Sequence, residues 1–452
     1  MQFPEVINQL TRLAGPSQSL YLVGGAVRDS LLGKPCSDFD FICAHNPRAL
    51  ARTFANENKG DFFVLDEERD TCRVLINTAV VRDLVVDFAV MRGDNILEDL
   101  AKRDFTVNAM ALDLRDLDHI IDPFKGGKDL LEKCLRVVSP ACFMDDPLRT
   151  IRAVRYALGL GLNLAPGMPD LIRAAVSGLG AVSAERKRDE LFKILSGHKV
   201  HAALQLLKQF EVLPYIPLTS SQDFTTLVTR SRSLEDVLEW LCGAKVHEQQ
   251  AAFYQSSLLV ELGHFREDLR RFYLVKNQSR RDRRSLLFLA TILDDAPRLE
   301  RDLRLLALSV AEIQQVRDTK AAFPILKRLI ARGSVPEPLE IYRYFKTTAS
   351  GGVDGMVTIL ADYASRVGSE FSQAQWLFLL KFAGSLLQAW FRTPQLIAPV
   401  PLVNGDTLMR RFSLSPGPYL GELLEQLKEE QIKGSVTNES EALQWIESVL
   451  MN

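Results

Sequence analysis

The chain has 452 residues, more than one domain usually contains, so we expect two to four domains with large cores. Apolar residues make up 47% and charged residues 25%, the composition of an ordinary globular protein. The net charge of -2 excludes a uniformly basic nucleic-acid coat protein but allows a local basic groove.

Short apolar runs of strand length alternate with turns in residues 1–138. They are rich in β-branched and aromatic residues, and helical stretches lie between them at 3–14, 26–32 and 47–58. This pattern predicts a mixed sheet with helices. The predicted strands are LYLV (20–23), DFDFICA (38–44), FFVL (62–65), CRVLI (72–76), LVVDFAV (84–90) and VNAMALDL (107–114).

The pattern changes near residue 140, after which Leu and Ala recur at spacings of three and four residues. Pro and Gly clusters interrupt this helical half and indicate several packed segments. The predicted fold class is therefore α+β, a mixed-sheet head followed by all-α domains. We place the head at 1–138, a helical neck at 139–200, a body at 201–300 and a tail at 301–452.

Gly24 and Gly25 lie directly between the strand LYLV and a predicted helix. Glycines let the backbone approach an anion, and the N–H groups of the first helical turn point at it. Arg28 lies in that turn, where its charge opposes the helix dipole, so an anionic ligand explains it better than helix stability. The alternative is a plain strand-to-helix turn with a solvated arginine.

Asp38 and Asp40 are two residues apart on a predicted strand, so their side chains share one face, while the alternating phenylalanines anchor the strand in the core. Adjacent carboxylates repel unless a cation lies between them, and oxygen ligands beside a phosphate site favour Mg²⁺. Asp87, on another apolar strand, is either a third carboxylate or a simple strand-end residue. The alternative for the pair is two surface aspartates on an edge strand.

The order of glycine turn and acidic strand resembles the nucleotidyltransferase superfamily that includes DNA polymerase beta. Further motifs narrow the likeness, and the chain resembles class II tRNA nucleotidyltransferases and bacterial poly(A) polymerases. This resemblance implies a polymerase beta-like head and two-metal, Mg²⁺-dependent phosphoryl transfer. The motifs are GGAVRD, DFDF, KRDFTVNAMA (102–111), DPFKGGKDL (122–130), DDPLRTIRAVRY (145–156), ERKRDEL (185–191) and, near the end, LVNGDTL (402–408).

By this resemblance, the helix 145–156 would select the nucleotide. Arg149, Arg152 and Arg155 share one broad face, with Asp146 one turn earlier. An Asp acceptor beside an Arg donor matches the amino group and ring nitrogen on the pairing edges of cytosine and adenine. Uracil and guanine have the reverse polarity, so each buried group left without a hydrogen bond would cost ~1–3 kcal/mol of binding free energy. The resemblance assigns base selection to Asp146 and Arg149, and the other two arginines would meet the triphosphate or support that pair. Without the other motifs, an ion-paired surface helix is the alternative.

The resemblance also implies contacts outside that helix. Gly25 and Arg28 would cradle the triphosphate. Arg103 would contact the incoming nucleotide, and Asp104 would hold the ribose or orient Arg103. Glu185 and its neighbouring arginine would brace the selecting helix rather than react.

We therefore expect an enzyme that adds C, and in some members A, from CTP or ATP to the 3′ end of tRNA. Segment 91–102, before Arg103, is short, whereas CCA-adding members and poly(A) polymerases usually have a longer flexible loop there. Its shortness favours the CC-adding subgroup. A poly(A) polymerase and a non-catalytic RNA-binding protein on a decayed transferase fold are the alternatives, and the intact carboxylate pair argues against the second.

Residues 276–284 carry five cations and one acid. These residues would either contact tRNA phosphates or form a solvated helix face, and the sequence favours neither interpretation over the other. The candidate RNA contacts are Lys276, Arg280, Arg281, Arg283 and Arg284.

The sequence favours a cytoplasmic protein. We find no apolar run long enough to span a membrane, and the first residues lack the features of a secretory signal. The six cysteines are scattered and form no CxxC motif, so we expect idle thiols in a reducing compartment. The sequence predicts no particular oligomeric state.

Overall fold

A computed structural model describes residues 5–15, 18–68, 70–77, 84–218, 223–243, 253–274, 281–293, 298–366 and 371–451. The chain divides into two units, one of Met1–Glu190 with Leu206–Ile216 and one of Leu191–Gln205 with Pro217–Asn452. Among the described residues, we find no helix that is both long and apolar enough to cross a membrane.

The first unit contains a seven-stranded mixed sheet. Its strands are β1 (Leu20–Val23), β2 (Asp38–Cys43), β3 (Asp61–Asp66), β4 (Thr71–Ile76), β5 (Leu84–Val90), β6 (Ala111–Asp113) and β7 (Asp116–Ile121). They lie in the order β3-β4-β5-β2-β1-β6-β7, which makes the acidic strand β2 central. β2 pairs with β1 in antiparallel and with β5 in parallel orientation. A separate parallel pair joins β8 (Cys134–Leu135) and β9 (Asn163–Leu164).

Nine helices belong to the described residues of this part of the chain. They are α1 (Glu5–Ala14), α2 (Gly25–Leu31), α3 (Pro47–Asn58), α4 (Ile96–Ala101), α5 (Gly126–Leu131), α6 (Cys142–Asp145), α7 (Arg149–Leu160), α8 (Met168–Ala175) and α9 (Ala184–Leu195). Helices α3 and α4 pack on opposite faces of the sheet. Phe54 of α3 meets Phe88 of β5 edge-on, and Phe88 stacks on Phe41 of β2. Because neighbouring strand residues point to opposite faces, this core leaves the acidic residues of β2 and β5 on the other face.

The mixed-sheet head followed by helices is confirmed, but one predicted strand is wrong over more than half of its length. Thr106–Asn108 form a 3-10 turn, and only Ala111–Asp113 of the run 107–114 are strand. Buried side chains hold that turn, since Thr106 donates to Asp129 and Asn108 donates to Asp104. The edge strand β7 was not predicted, because its charged residues hide the alternation of a strand.

The described residues of the second unit form helices and turns. The helices are α10 (Val200–Gln209), which ends in the first unit, α11 (Phe224–Cys242), α12 (Phe253–Leu262), α13 (Arg266–Leu274), α14 (Arg283–Ile292), α15 (Arg298–Leu305), α16 (Val310–Ala331), α17 (Pro338–Thr348), α18 (Gly351–Ala364), α19 (Gln373–Phe391), α20 (Pro394–Ile397), α21 (Gly405–Phe412), α22 (Pro418–Lys433) and α23 (Glu439–Met451). The last three share a small core that includes Leu408, Leu427 and Ile446. The domain borders at 138, 200 and 300 stay predictions.

Candidate active site

Two aspartates stand side by side on the open face of the sheet. Asp38 and Asp40 of β2 are exposed, whereas Phe39 and Phe41 are buried. Asp87 lies directly opposite Asp40 on the parallel strand β5. The structure therefore brings the three predicted carboxylates to one face.

Burial and a neighbouring negative charge both act on the carboxyl group of Asp40. Asp87 accepts hydrogen bonds from Nε and Nη2 of Arg73 at 2.8 and 2.7 Å. Protein atoms crowd Asp40 although its side chain still reaches solvent, and this desolvation, followed by the charge of Asp87, raises the pKa of Asp40. A divalent cation would favour the ionised carboxylate and offset both effects.

The carboxylates fit a metal that also uses substrate ligands. In the described part of the chain, we find no three His, Cys, Asp or Glu side chains placed to hold a metal ion by themselves. Mg²⁺ is usually held by one or two carboxylates, with water and substrate phosphates completing its shell. Asp38 and Asp40 match that requirement, whereas the engagement of Asp87 by Arg73 does not favour it as a third ligand.

The glycine turn brings the backbone against these groups. Gly24 has φ 72° and ψ −128°, a conformation that side chains disfavour. A Cβ on Gly24 would lie 3.1 Å from Nη1 of Arg103 and 3.6 Å from Oδ2 of Asp40. The missing side chain therefore keeps the cleft open between the acidic strand and Arg103.

Arg28 does not lie where we expected it. Its side chain is buried, and Nη1 donates to Oδ1 of Asn108 at 2.6 Å. Nε and Nη2 donate to Asp29, and the guanidinium lies over the ring of Tyr156. Direct contact with a triphosphate does not fit this placement, because Nη1, Nε and Nη2 already donate to Asn108 and Asp29. Arg28 instead fastens α2 to the turn that contains Asn108.

Arg103 lies in the cleft and is held by a buried carboxylate. Its Nε and Nη2 donate to Oδ2 of Asp99 at 3.2 and 3.1 Å. The other oxygen of Asp99 accepts from the backbone N–H and Nε of Arg92. Burial alone would raise the pKa of Asp99, but these hydrogen bonds and charges outweigh it and lower the pKa.

A chain of ion pairs connects Asp104 to α7 and α9. Arg152 donates to Oδ2 of Asp104 at 2.9 and 2.6 Å and to Glu190 at 3.3 Å. Arg155 donates to the other oxygen of Glu190 at 2.7 Å and lies over the ring of Tyr156. Burial would raise the pKa of Asp104, but the charge of Arg152 and further hydrogen bonds lower it. Asp104 thus fixes Arg152 rather than Arg103.

Of the predicted base-selecting pair, Arg149 begins α7 and Asp146 lies three residues before it, so the helix expected at 145–156 starts only at Arg149. Oδ2 of Asp146 accepts from Nη2 of Arg186 at 2.8 Å. Arg149 donates to the backbone carbonyl oxygens of Cys142 and Lys102 at 3.3 and 2.8 Å. Of the two residues expected to brace the selecting helix, Arg186 holds Asp146, whereas Glu190 rather than Glu185 holds the arginines of α7.

A cleft joins these groups within the first unit. A cavity of ≈ 230 Å³ and an adjoining groove of ≈ 940 Å³ share six lining residues. These are Asp40, Arg92, Arg103, Asp146, Arg149 and Arg186. Acidic strand residues therefore line one part of the cleft and the selecting helix lines another.

Several residues of this site were missed by sequence reasoning. Tyr156 lines the cleft beneath three arginines, and Arg92 lines it beside Arg103. Glu190 and Asp99 hold arginines without facing the cleft opening. Their only signal in the sequence is position, since Glu190 lies within the motif 185–191 and Asp99 precedes the motif 102–111.

The basic stretch faces inward where the structure describes it. Lys276 and Arg280 lie outside the described residues. Arg283 forms a two-point ion pair with a buried aspartate of α18, and Arg281 donates to a buried glutamate of α16 at 2.7 Å. Arg284 donates to a backbone carbonyl at 3.1 Å. RNA contact by these three arginines does not fit their placement, because their guanidinium groups serve packing within the second unit.

Three family models match separate parts of the chain. Residues 20–136 match the Poly A polymerase head domain. Residues 161–222 match the polymerase A region that is named for RNA and SrmB binding. Residues 397–446 match tRNA nucleotidyltransferase domain 2.

Known proteins resemble the chain over different lengths. The CC-adding tRNA nucleotidyltransferase of Geobacter sulfurreducens is 38% identical over 45% of this chain and 46% of its own. The CC-adding tRNA nucleotidyltransferase of Synechocystis sp. is 27% identical over 95% of this chain and 93% of its own. Other relatives are named A-adding or CCA-adding, so the comparisons do not distinguish the subtype.

A solved structure matches the fold along nearly the whole chain. The Thermotoga maritima CCA-adding enzyme complexed with tRNA has a TM-score of 0.63 and 22% sequence identity. The match covers 99% of this chain and 96% of that one. At this identity, the likeness shows a shared fold.

Proposed function

We propose that this chain, which belongs to the family of class II tRNA nucleotidyltransferases and poly(A) polymerases, adds nucleotides to the 3′ end of tRNA. The proposal depends above all on one cleft that unites Asp40 of β2, the glycine turn and the pair Asp146 and Arg149. In such a cleft, an incoming nucleotide would lie between the strand proposed to bind metal and the helix proposed to read the base. The free thiols fit a reducing cytoplasm, where we propose that the enzyme works.

The carboxylates of Asp38 and Asp40 would hold Mg²⁺. When bound, the metal activates the attacking 3′-hydroxyl and neutralises charge on the triphosphate. Gly24 leaves room for the phosphates beside the acidic strand. Arg103, fixed by Asp99, presents its Nη1 at the same point and would counter the charge of the incoming nucleotide.

Base selection would use the polarity of one acceptor and one donor. Asp146 would accept from the exocyclic amino group, and Arg149 would donate to the adjacent ring nitrogen. Arg186 and two backbone carbonyls hold these side chains before a base arrives. The arrangement suits cytosine and adenine, and the protein takes the place of a template strand.

Asp40→Asn tests whether the chain is an enzyme or an RNA-binding protein. We expect incorporation to fall at least ~10³-fold, because loss of a metal ligand costs several kcal/mol of transition-state stabilisation. RNA affinity should stay unchanged in a filter-binding assay. Asp118→Asn, an exposed aspartate of β7, is the matched control and should keep full activity. Undiminished incorporation by Asp40→Asn would refute the assignment of this strand.

We further propose that addition stops after two cytidines. The segment before Arg103 consists of residues 91–95, the short helix α4, which Asn95 caps, and Lys102. We expect CTP to extend tRNA transcripts that lack CC by two nucleotides, and ATP to add nothing to a transcript that ends in CC. Products resolved to one nucleotide decide this. A terminal A would make the subtype wrong, and long A tracts on other RNAs would favour a poly(A) polymerase.

A further inference from the structure

A straight row of side chains runs from the acidic strand to the edge of the sheet. Asp40 is paired in register with Asp87, Asp87 with Arg73, and Arg73 with Phe63. Residues directly opposite on paired strands point to the same face. Phe63 therefore lies on the face that carries the candidate metal-binding carboxylates.

The row is long enough to contact a few nucleotides of single-stranded RNA. Three strand spacings of ~4.8 Å place Phe63 about 14 Å from Asp40. The groove that contains Asp40 continues past Asp87 to Thr71 and Asp66, which are paired residues of the β3–β4 hairpin. The groove thus reaches the hairpin that carries Arg73 and Phe63.

Phe63 differs from the other aromatic residues of this sheet. It is 47% exposed, and Leu65 farther along β3 is 49% exposed, whereas Phe41 and Phe88 are almost fully buried. One exposed apolar side chain needs no special explanation. An exposed aromatic ring paired across the strands with an arginine, in line with the carboxylates, is more specific.

Arg73 supplies a positive charge between the ring and the acidic residues. It is held by its two hydrogen bonds to Asp87 and is 38% exposed. Proteins bind single-stranded RNA with aromatic rings that stack on bases and with cations that meet phosphates. Phe63 provides such an aromatic ring, and Arg73 provides such a cation.

We propose that Phe63 and Arg73 form a platform on which the unpaired 3′ end of the RNA substrate stacks while its terminal hydroxyl lies at Asp38 and Asp40. This inference rests on the proposed function, since that reaction requires an RNA end at the carboxylates. The substrate class is a duplex-ended RNA with a few unpaired 3′ nucleotides. Stacking is tolerant of base identity, so the platform holds the end in place without reading its sequence.

The test measures RNA binding directly. A tRNA ending one nucleotide short of completion carries 2-aminopurine at its unpaired positions, and full-length protein is titrated against it. Phe63→Ala should raise the Kd about tenfold and abolish the quenching of the stacked base, the effect of losing one stacking partner. Phe63→Tyr keeps a ring and should behave as wild type.

Controls separate this inference from misfolding and from the proposed function. Leu131→Ala, an exposed apolar residue of α5, should change neither the Kd nor the quenching. Thermal unfolding should give the same midpoint for all four proteins. Nucleotide incorporation by the wild-type protein is measured in a separate assay. If the wild type incorporates no nucleotide but still quenches 2-aminopurine in a way that requires Phe63, the proposed function is refuted and the platform is not. Equal Kd and equal quenching for wild type and Phe63→Ala would refute the platform. The platform would also be refuted if Phe63→Ala altered the self-association of the protein but not its RNA binding.

Discussion

At the scale of single residues, Asp99 shows how a buried carboxylate can control a cleft that it does not line. Both of its oxygens accept from arginines, Arg92 on one side and Arg103 on the other. Asp99 is 0% exposed, so water does not compete for these hydrogen bonds. Arg103 is thereby fixed beside Gly24 before a nucleotide binds, and Asp99 acts as a positioning residue.

Replacing this carboxylate should weaken nucleotide binding. Asp99→Asn removes a charged acceptor from Arg103, and we expect the KM for CTP to rise roughly tenfold, the value of one charge-assisted hydrogen bond. The KM for RNA should stay the same. Steady-state kinetics with each substrate varied in turn measure both constants.

Asp113→Asn is the matched control for this prediction. Asp113 pairs with Arg115 on the surface, at 2.6 Å, and an exposed pair of this kind contributes little. Its replacement should leave both KM values unchanged. A KM for CTP that stays at the wild-type value in Asp99→Asn would show that Arg103 is positioned by other contacts.

At the scale of elements, the second unit depends on one close helix crossing. A Cβ on Gly355 of α18 would lie 2.3 Å from Cβ of Ala322 on α16, and one on Gly351 would lie 2.5 Å from backbone atoms of α16. The buried Asp354 between these glycines pairs with Arg283 of α14. Glycine thus lets two backbones approach while an ion pair ties in a third helix.

A single methyl group should disturb this crossing. We expect Gly355→Ala to lower the free energy of unfolding by ~1–3 kcal/mol, because an overpacked core must shift. A Cβ on Gly421 of α22 would have no neighbouring atom within 4 Å. Gly421→Ala should therefore raise the free energy of unfolding by ~0.5–1 kcal/mol, because alanine has the higher helix propensity. Urea denaturation followed by circular dichroism compares the two. Equal stability of Gly355→Ala and wild type would mean that the crossing relaxes freely.

At the scale of the whole molecule, the net negative charge of the protein does not attract RNA, which is also negative. The net charge is -2, so any attraction to RNA must come from local groups. The arginines of the first unit meet that need, since several line the cleft. By contrast, the described arginines of the basic stretch are used inside the second unit.

Local phosphate contacts predict a clear dependence on salt. The logarithm of the Kd for tRNA should rise linearly with the logarithm of the KCl concentration, by about tenfold between ~50 and ~200 mM for every two phosphates contacted. Filter binding over that range measures the slope. A Kd that does not change with salt would show that phosphate contacts contribute nothing to binding.

The sequence by itself determined the features that depend on local periodicity. A strand alternates its side chains between two faces, so Asp38 and Asp40 had to face one way whatever the fold around them. A glycine pair between a strand and a helix likewise marked the turn that lines the cleft. The helix spacing of Arg149, Arg152 and Arg155 followed from the same geometry, and the order of these motifs indicated the family.

Only the tertiary structure decided which partner each charged group has. Arg28 was expected to meet phosphate but is directed at Asn108, and Arg283 was expected to meet RNA but pairs with Asp354. The row that leads to Phe63 depends on the register of four strands, to which distant segments contribute. Such pairings follow from burial, because a charge that packing removes from water must find a partner wherever the fold supplies one, and that partner is not encoded in its neighbours along the chain.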